Sequence, residues 1–305
     1  MKFATVATGG IGGYLAVRLT QAGEDVATLA RGAHLDAIKS KGLTLESADG
    51  LTTSHPLIVT DNPTEIGPVD AVIFAVKAKD VEQAAESCLP LIRPETVVIP
   101  FLNGVETVER LATVLPLENI ANGTAGISVT IKEPGTIRQV GTFAIFTFAE
   151  RDSSQSPRIR AVRSAFERAG LEAPVVEDID VGLWRKFCFF APLSGVTAAA
   201  RCTLGKIRQD PHLSRVFQDA IAETAVLARA LGVALPDDME SRIWQGVSDL
   251  PDSMRASTAI DLDAGRALEV DWISGAVARL SDAAGLNAPI HRTLNAVLQP
   301  WKAGR

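Results

Sequence analysis

The strongest constraint on this chain is a rhythm in its first 115 residues, where short β-rich runs alternate with amphipathic helical segments. Residues 3–7, 25–30, 70–76 and 96–101 read as strands, and residues 11–22, 80–91 and 105–115 as helices. DAVIFAV (70–76) is almost continuously apolar, as expected of a central parallel strand covered on both faces. Strand–helix–strand repetition of this kind builds a parallel sheet wound with helices. Between about 119 and 148 the helices vanish, and TAGISVTI, TIRQV and FAIFTF, separated by Pro-Gly and Gly, suggest added antiparallel strands. Beyond 175–176 the patterning is helical to the end. The expected fold is therefore α/β: an N-terminal Rossmann-type parallel sheet with added antiparallel strands over residues 1–178, then an all-helical domain over 179–305.

The first strand-to-helix junction reads Ala7-Thr8-Gly9-Gly10-Ile11-Gly12. A dinucleotide-binding turn wants G-x-G-x-x-G here, for a tight bend, close approach of backbone to pyrophosphate, and close helix–strand packing. Gly9 and Gly12 take the second and third glycine positions, and Ala7 replaces the first. A purely structural glycine turn is the alternative. At the end of the second strand, where an acid would hydrogen-bond the ribose of NAD, the chain has Ala30-Arg31-Gly32. A planar guanidinium fork suits a 2′-phosphate, so the expected cofactor is NADP(H), a solvated surface arginine being the competing explanation. Lys77 and Asn103 each follow a strand of the sheet at its carboxyl end, where ligands of open α/β sheets gather. Either could instead shape a turn or cap a helix.

A net charge of −6 argues against general nucleic-acid binding, which needs a basic surface, and no run of about 18 apolar residues proposes a membrane span. Three cysteines without CxxC spacing fit reduced thiols, and four dispersed histidines propose no metal site. The opening MKFATVATGG lacks the cleavage pattern of a secretory signal, so the expected location is cytoplasmic. The amphipathic C-terminal helices suit a core or a homodimer interface.

Lys186 lies in WRKFCFFAPLSGVT, with 186, 190, 194 and 197 along one helical face and Pro192 as a break in its hydrogen bonding. A lysine among Trp184, Phe187 and Phe190 is desolvated if it faces inward, which lowers its pKa toward useful acid chemistry. On periodicity alone, a snorkelling lysine whose stem covers apolar surface is the favoured reading.

Taken in order, ATGGIGGYLA, LARGAHL, VKAKD, FLNG, LWRKF and LEVDWISG resemble the ketopantoate reductase (2-dehydropantoate 2-reductase) family over most of the chain. The resemblance implies NADPH-dependent reduction of ketopantoate to pantoate in pantothenate biosynthesis. By the same match Lys186 is the general acid, Glu269 a glutamate near cofactor and active site, Ser257 a substrate-binding serine, and Arg31 the 2′-phosphate arginine. Asn103 and Lys77 match positions lining the nicotinamide and substrate. Phe190 and Ser194 stand in the substrate region where many members carry asparagine, and Leu204 aligns with a third. Phenylalanine and leucine offer no polar contact. Reduction of another 2-oxo acid is therefore the nearest rival, and a non-catalytic NADPH-binding protein the alternative of a different class.

Overall fold

The computed structural model describes residues 1–305, which divide into two compact units: Met1–Leu102 with Thr107–Ile179, and Asn103–Glu106 with Asp180–Arg305. The segment 103–106, which sequence alone assigned to the first domain, thus belongs with the second unit.

The first unit runs β1 (Lys2–Val6), α1 (Gly10–Gln21), β2 (Asp25–Leu29), α2 (Gly32–Lys41), β3 (Leu43–Ser47), β4 (Gly50–Ser54), β5 (Ile58–Thr60), β6 (Ala71–Phe74), α3 (Val81–Cys88), β7 (Val97–Pro100), α4 (Thr107–Leu111), β8 (Asn122–Glu133), β9 (Thr136–Ala149) and α5 (Pro157–Arg168). Five of these strands form a parallel sheet in the order β5-β2-β1-β6-β7. Its winding reverses between β1 and β6, the switch point beyond which ligands bind in such sheets. The apolar alternation explains why both faces are covered. Phe3, Ile73 and Ile99 join one core with α1, α5 and the aromatic residues Phe146 and Phe148 of β9. Ala4, Val6, Val72, Phe74 and Val98 join the opposite core with Val81 and Ala85 of α3. Side chains of successive strand residues point to opposite faces, so one apolar run serves two helical layers.

The remaining strands form a second sheet, β4-β3-β9-β8, in which β3–β4 and β8–β9 are antiparallel while β3–β9 is parallel. TIRQV and FAIFTF, expected as separate strands, are one strand, β9, that passes through Gly141 at φ +72°. Around that glycine the pairing with β8 shifts from Ile127–Ala144 to Val129–Gln139, so Gly141 lies in a bulge that kinks the strand between its two paired stretches.

The second unit is helical: α6 (Ile179–Ala199), whose first residue belongs to the first unit, then α7 (Leu204–Gln209), α8 (Pro211–Ala230), α9 (Met239–Val247), α10 (Ser257–Asp263), α11 (Ser274–Ala283) and α12 (Pro289–Leu298). Residues of α6 enter three apolar clusters: Trp184 and Phe187 in one, Leu193 and Val196 in another, Ala198 in a third. A helix apolar on all sides is a central helix. No helix of the protein is long and apolar enough to cross a membrane.

Candidate active site

In the first unit β1 ends at Val6 because Ala7 takes φ +63°, a left-handed conformation that L residues other than glycine adopt with strain. The bend returns the chain over itself so closely that a Cβ on Gly12 would lie 2.2 Å from the Ala7 carbonyl oxygen. Gly10 is also confined, though less tightly: a Cβ there would meet the Val129 carbonyl of β8 at 2.7 Å. Around Gly9 the space is open, with nothing within 4 Å of the corresponding position. Thr8 anchors the turn to β2, its backbone N–H and its hydroxyl donating to the Leu29 carbonyl at 3.0 and 2.9 Å. Ile11 follows on α1, whose first-turn N–H groups have no intrahelical acceptors and whose first turn carries no acid. That arrangement favours an anion.

Arg31 occupies the N-cap position of α2, exposed; its carbonyl accepts the Leu35 N–H at 3.4 Å, and its guanidinium has no ion pair or hydrogen bond. It is an available cation beside a helix start that also lacks acids. His34, one turn along, reaches back to the glycine turn: its Nε2 lies 2.8 Å from the Thr8 carbonyl. Lys77 is exposed just beyond β6, at the start of a short 3-10 turn over Ala78–Asp80.

In the second unit Lys186 sits in the middle of α6. Its Nζ donates to Asn103 Oδ1 at 3.3 Å and lies 5.8 Å from the centre of the Phe190 ring. Burial of the ammonium pushes its pKa down to about 8, because the charged form loses water that these neighbours replace only in part. Asn103 is held by the segment that follows it. Gly104 takes φ +102° against the Trp272 carbonyl, Val105 packs against the apolar cluster that includes Trp184 and Phe187, and Glu106 accepts a hydrogen bond from Arg279 at 2.6 Å. These contacts fix an amide oxygen opposite a buried ammonium. Glu269 is half-buried and precedes the 3-10 turn Val270–Trp272.

The residues expected to meet substrate differ in availability. Ser257 is exposed at the start of α10. Phe190 is half-buried with its ring beside Lys186. Ser194 is buried, and its hydroxyl is bonded to that of Thr258 at 2.6 Å. Thr197 accepts the Ala256 N–H at 3.4 Å, so two hydroxyls of α6 hold the start of α10. Leu204 is completely buried in an apolar cluster.

Family models described as ketopantoate reductase PanE/ApbA and its C-terminal domain match residues 3–153 and 178–302. This chain belongs to the ketopantoate reductase family. It is thus an oxidoreductase of that family, and its relatives match it from end to end. An uncharacterised oxidoreductase, YkpB, of Bacillus subtilis is 30% identical over 303 residues, covering 99% of each chain. A 2-dehydropantoate 2-reductase of Mesorhizobium japonicum is also 30% identical, over 98% of this chain and 96% of its own. The crystal structure of a PanE/ApbA family ketopantoate reductase from Ralstonia eutropha superposes with a TM-score of 0.90 at 27% identity, covering 99% and 98% of the two chains.

Sequence reasoning did not single out two residues of these hydrogen-bonded arrangements. His34 was set among the dispersed histidines, although its place one helical turn after Arg31 was a usable signal. Thr258, the partner of Ser194, carried no signal beyond adjacency to Ser257.

Proposed function

We propose that this protein reduces the keto group of a 2-oxo acid with NADPH, with ketopantoate, yielding pantoate for pantothenate biosynthesis, as its substrate. The observation that carries this reading is the half-buried Lys186, whose Nζ donates to Asn103 Oδ1 at 3.3 Å beside the Phe190 ring, with desolvation lowering its pKa to about 8. A general acid works best when its pKa lies close to the working pH. Lys186 Nζ would hydrogen-bond the keto oxygen, stabilise the negative charge that develops there, and deliver a proton to give the 2-hydroxy acid. Asn103 accepts from the same ammonium, which favours its charged form and fixes its direction. We assign Glu269 to the catalytic group with Lys186 and Lys77 to contact with the cofactor, on the resemblance of the motifs LEVDW and VKAKD that carry them.

The residues available for the cofactor fit NADPH. The open space at Gly9 and the N–H groups at the start of α1 suit the pyrophosphate, and the unpaired guanidinium of Arg31 suits the 2′-phosphate. When bound, the nicotinamide supplies the hydride. The test is purified protein with NADPH and ketopantoate, followed at the reduced-nicotinamide absorbance band. Ketopantoate-dependent oxidation is expected; none, with NADPH binding shown separately, would remove ketopantoate as the substrate.

A second reading, reduction of a 2-oxo acid with a less hydroxylated side chain, is favoured by three positions. Phe190 places a ring beside the acid, Ser194 spends its hydroxyl on Thr258, and Leu204 is enclosed. Turnover across a panel of 2-oxo acids separates the two, since a site without polar partners discriminates weakly in favour of a hydroxyl.

A further inference from the structure

His34 makes two hydrogen bonds that together define its protonation. The Gly135 N–H donates to Nδ1 at 2.9 Å, so that nitrogen is the acceptor and carries no proton. Nε2 is then the protonated nitrogen, and it donates to the Thr8 carbonyl at 2.8 Å. Burial lowers the pKa of this imidazole from its ordinary value, the Thr8 bond opposing the shift in part, which agrees with a neutral ring.

Each partner is itself a junction. Thr8 is the residue of the glycine turn tied to β2, and the next residue is Gly9, where the backbone faces open space. Gly135, at φ +79°, is the turn between β8 and β9; its carbonyl accepts from Thr44 N–H at 2.9 Å, and a Cβ on it would press on Ala37 of α2 at 3.0 Å. The β8 backbone also lies against Gly10. One imidazole therefore ties the glycine turn to α2 and to the hairpin tip.

We propose that His34 is a positioning residue for the cofactor: by holding the Thr8 carbonyl it orients the Gly9–Gly12 backbone that grips the pyrophosphate. This rests on the nucleotide-binding reading above. His34 acts through the turn and not through the 2′-phosphate, so its loss weakens NADPH and NADH by the same factor. Removal of Arg31 discriminates between the two nucleotides.

The two bonds can be removed separately. Glutamine places an amide N–H at about the reach of Nε2 and can serve Thr8, whereas asparagine places an oxygen near Nδ1 and can serve only Gly135. Dissociation constants for NADPH and NADH are measured on the full chain for wild type, His34→Ala, His34→Gln and His34→Asn. The expected result is about a tenfold loss for both nucleotides in the alanine and asparagine variants, with near wild-type binding restored by glutamine. Wild-type affinity in the alanine variant overturns the proposal. So does rescue by asparagine alone, which would assign the role to the hairpin link, or a loss confined to NADPH, which would route it through Arg31. If wild-type protein binds neither nucleotide, the cofactor reading itself fails and takes this role with it.

Discussion

Replacing Lys186 by methionine separates what the buried ammonium does for stability from what it does for catalysis. Burial moves its pKa from 10.5 to about 8. At about 1.4 kcal/mol per pKa unit, that disfavours the charged form in the folded protein by ~3 kcal/mol near neutrality, trimmed by screening at its half-buried surface. Methionine keeps an unbranched chain of similar reach without a charge to desolvate. Against this, Asn103 Oδ1 loses its donor at 3.3 Å, a penalty of ~1 kcal/mol. The methionine variant should therefore be more stable than wild type by ~1–2 kcal/mol at pH 7.

The sign of the pH dependence follows from the direction of the shift. The folded pKa lies below the unfolded one, so between about 8 and 10.5 the unfolded wild-type chain binds more protons than the folded chain. Wild-type stability rises with pH through that window, and the burial penalty, fully present below about pH 8, is gone above 10.5. The variant's advantage should shrink over the same interval. Urea unfolding followed by tryptophan fluorescence reads the correct unit, because all four tryptophans, Trp184, Trp244, Trp272 and Trp301, lie in the helical one. Turnover should fall by about 10²–10⁴, the usual contribution of a positioned acid. A variant less stable than wild type at pH 7, or one whose advantage persists undiminished at pH 10.5, refutes the desolvation argument; retained turnover refutes the acid.

Arg31→Ala should weaken NADPH by about tenfold to a hundredfold, the worth of a charge-assisted phosphate contact, and leave NADH almost unchanged in direct binding assays. Equal losses for both nucleotides would make Arg31 a structural residue. Gly12→Ala puts a Cβ 2.2 Å from the Ala7 carbonyl, so the turn must open; thermal unfolding should show a loss of about 1–3 kcal/mol, with nucleotide affinity falling alongside it. Wild-type stability in that variant would mean the turn relaxes freely. In wild type, kcat should decline as pH rises through about 8, where Lys186 loses its proton; a flat profile to pH 9.5 would exclude its deprotonation as limiting.

Those parts of the fold were legible that are written in side-chain periodicity. Both faces of β6 are covered because AVIF is apolar at every position, and the glycine turn is visible because Gly12 tolerates no Cβ. The stretch from α2 to β5 was not anticipated. GAHLDAIKSK is half polar and buries only Leu35 and Ile38; β4 pairs locally with β3, but β3 also pairs with β9, almost a hundred residues later in the chain, and β5 pairs with β2. In the second unit, Lys186 on one helical face was compatible with either a snorkelling or an enclosed side chain. The outcome depends on Asn103 and the segment behind it, 83 positions away in sequence.

The same distinction explains why His34 escaped notice while Arg31 did not. An arginine at the end of β2 carries its meaning in its own charge. The partners of His34 are a main-chain carbonyl at Thr8 and a main-chain N–H at Gly135, groups that nearly every residue possesses and that no side-chain spacing encodes. Only the return of the β8–β9 hairpin brings that N–H, 101 positions along the chain, to the imidazole. The glycine at the hairpin tip was visible as a turn residue, but its consequence for the nucleotide turn was not. A residue that works through backbone partners becomes identifiable when the sheet that supplies them has been placed.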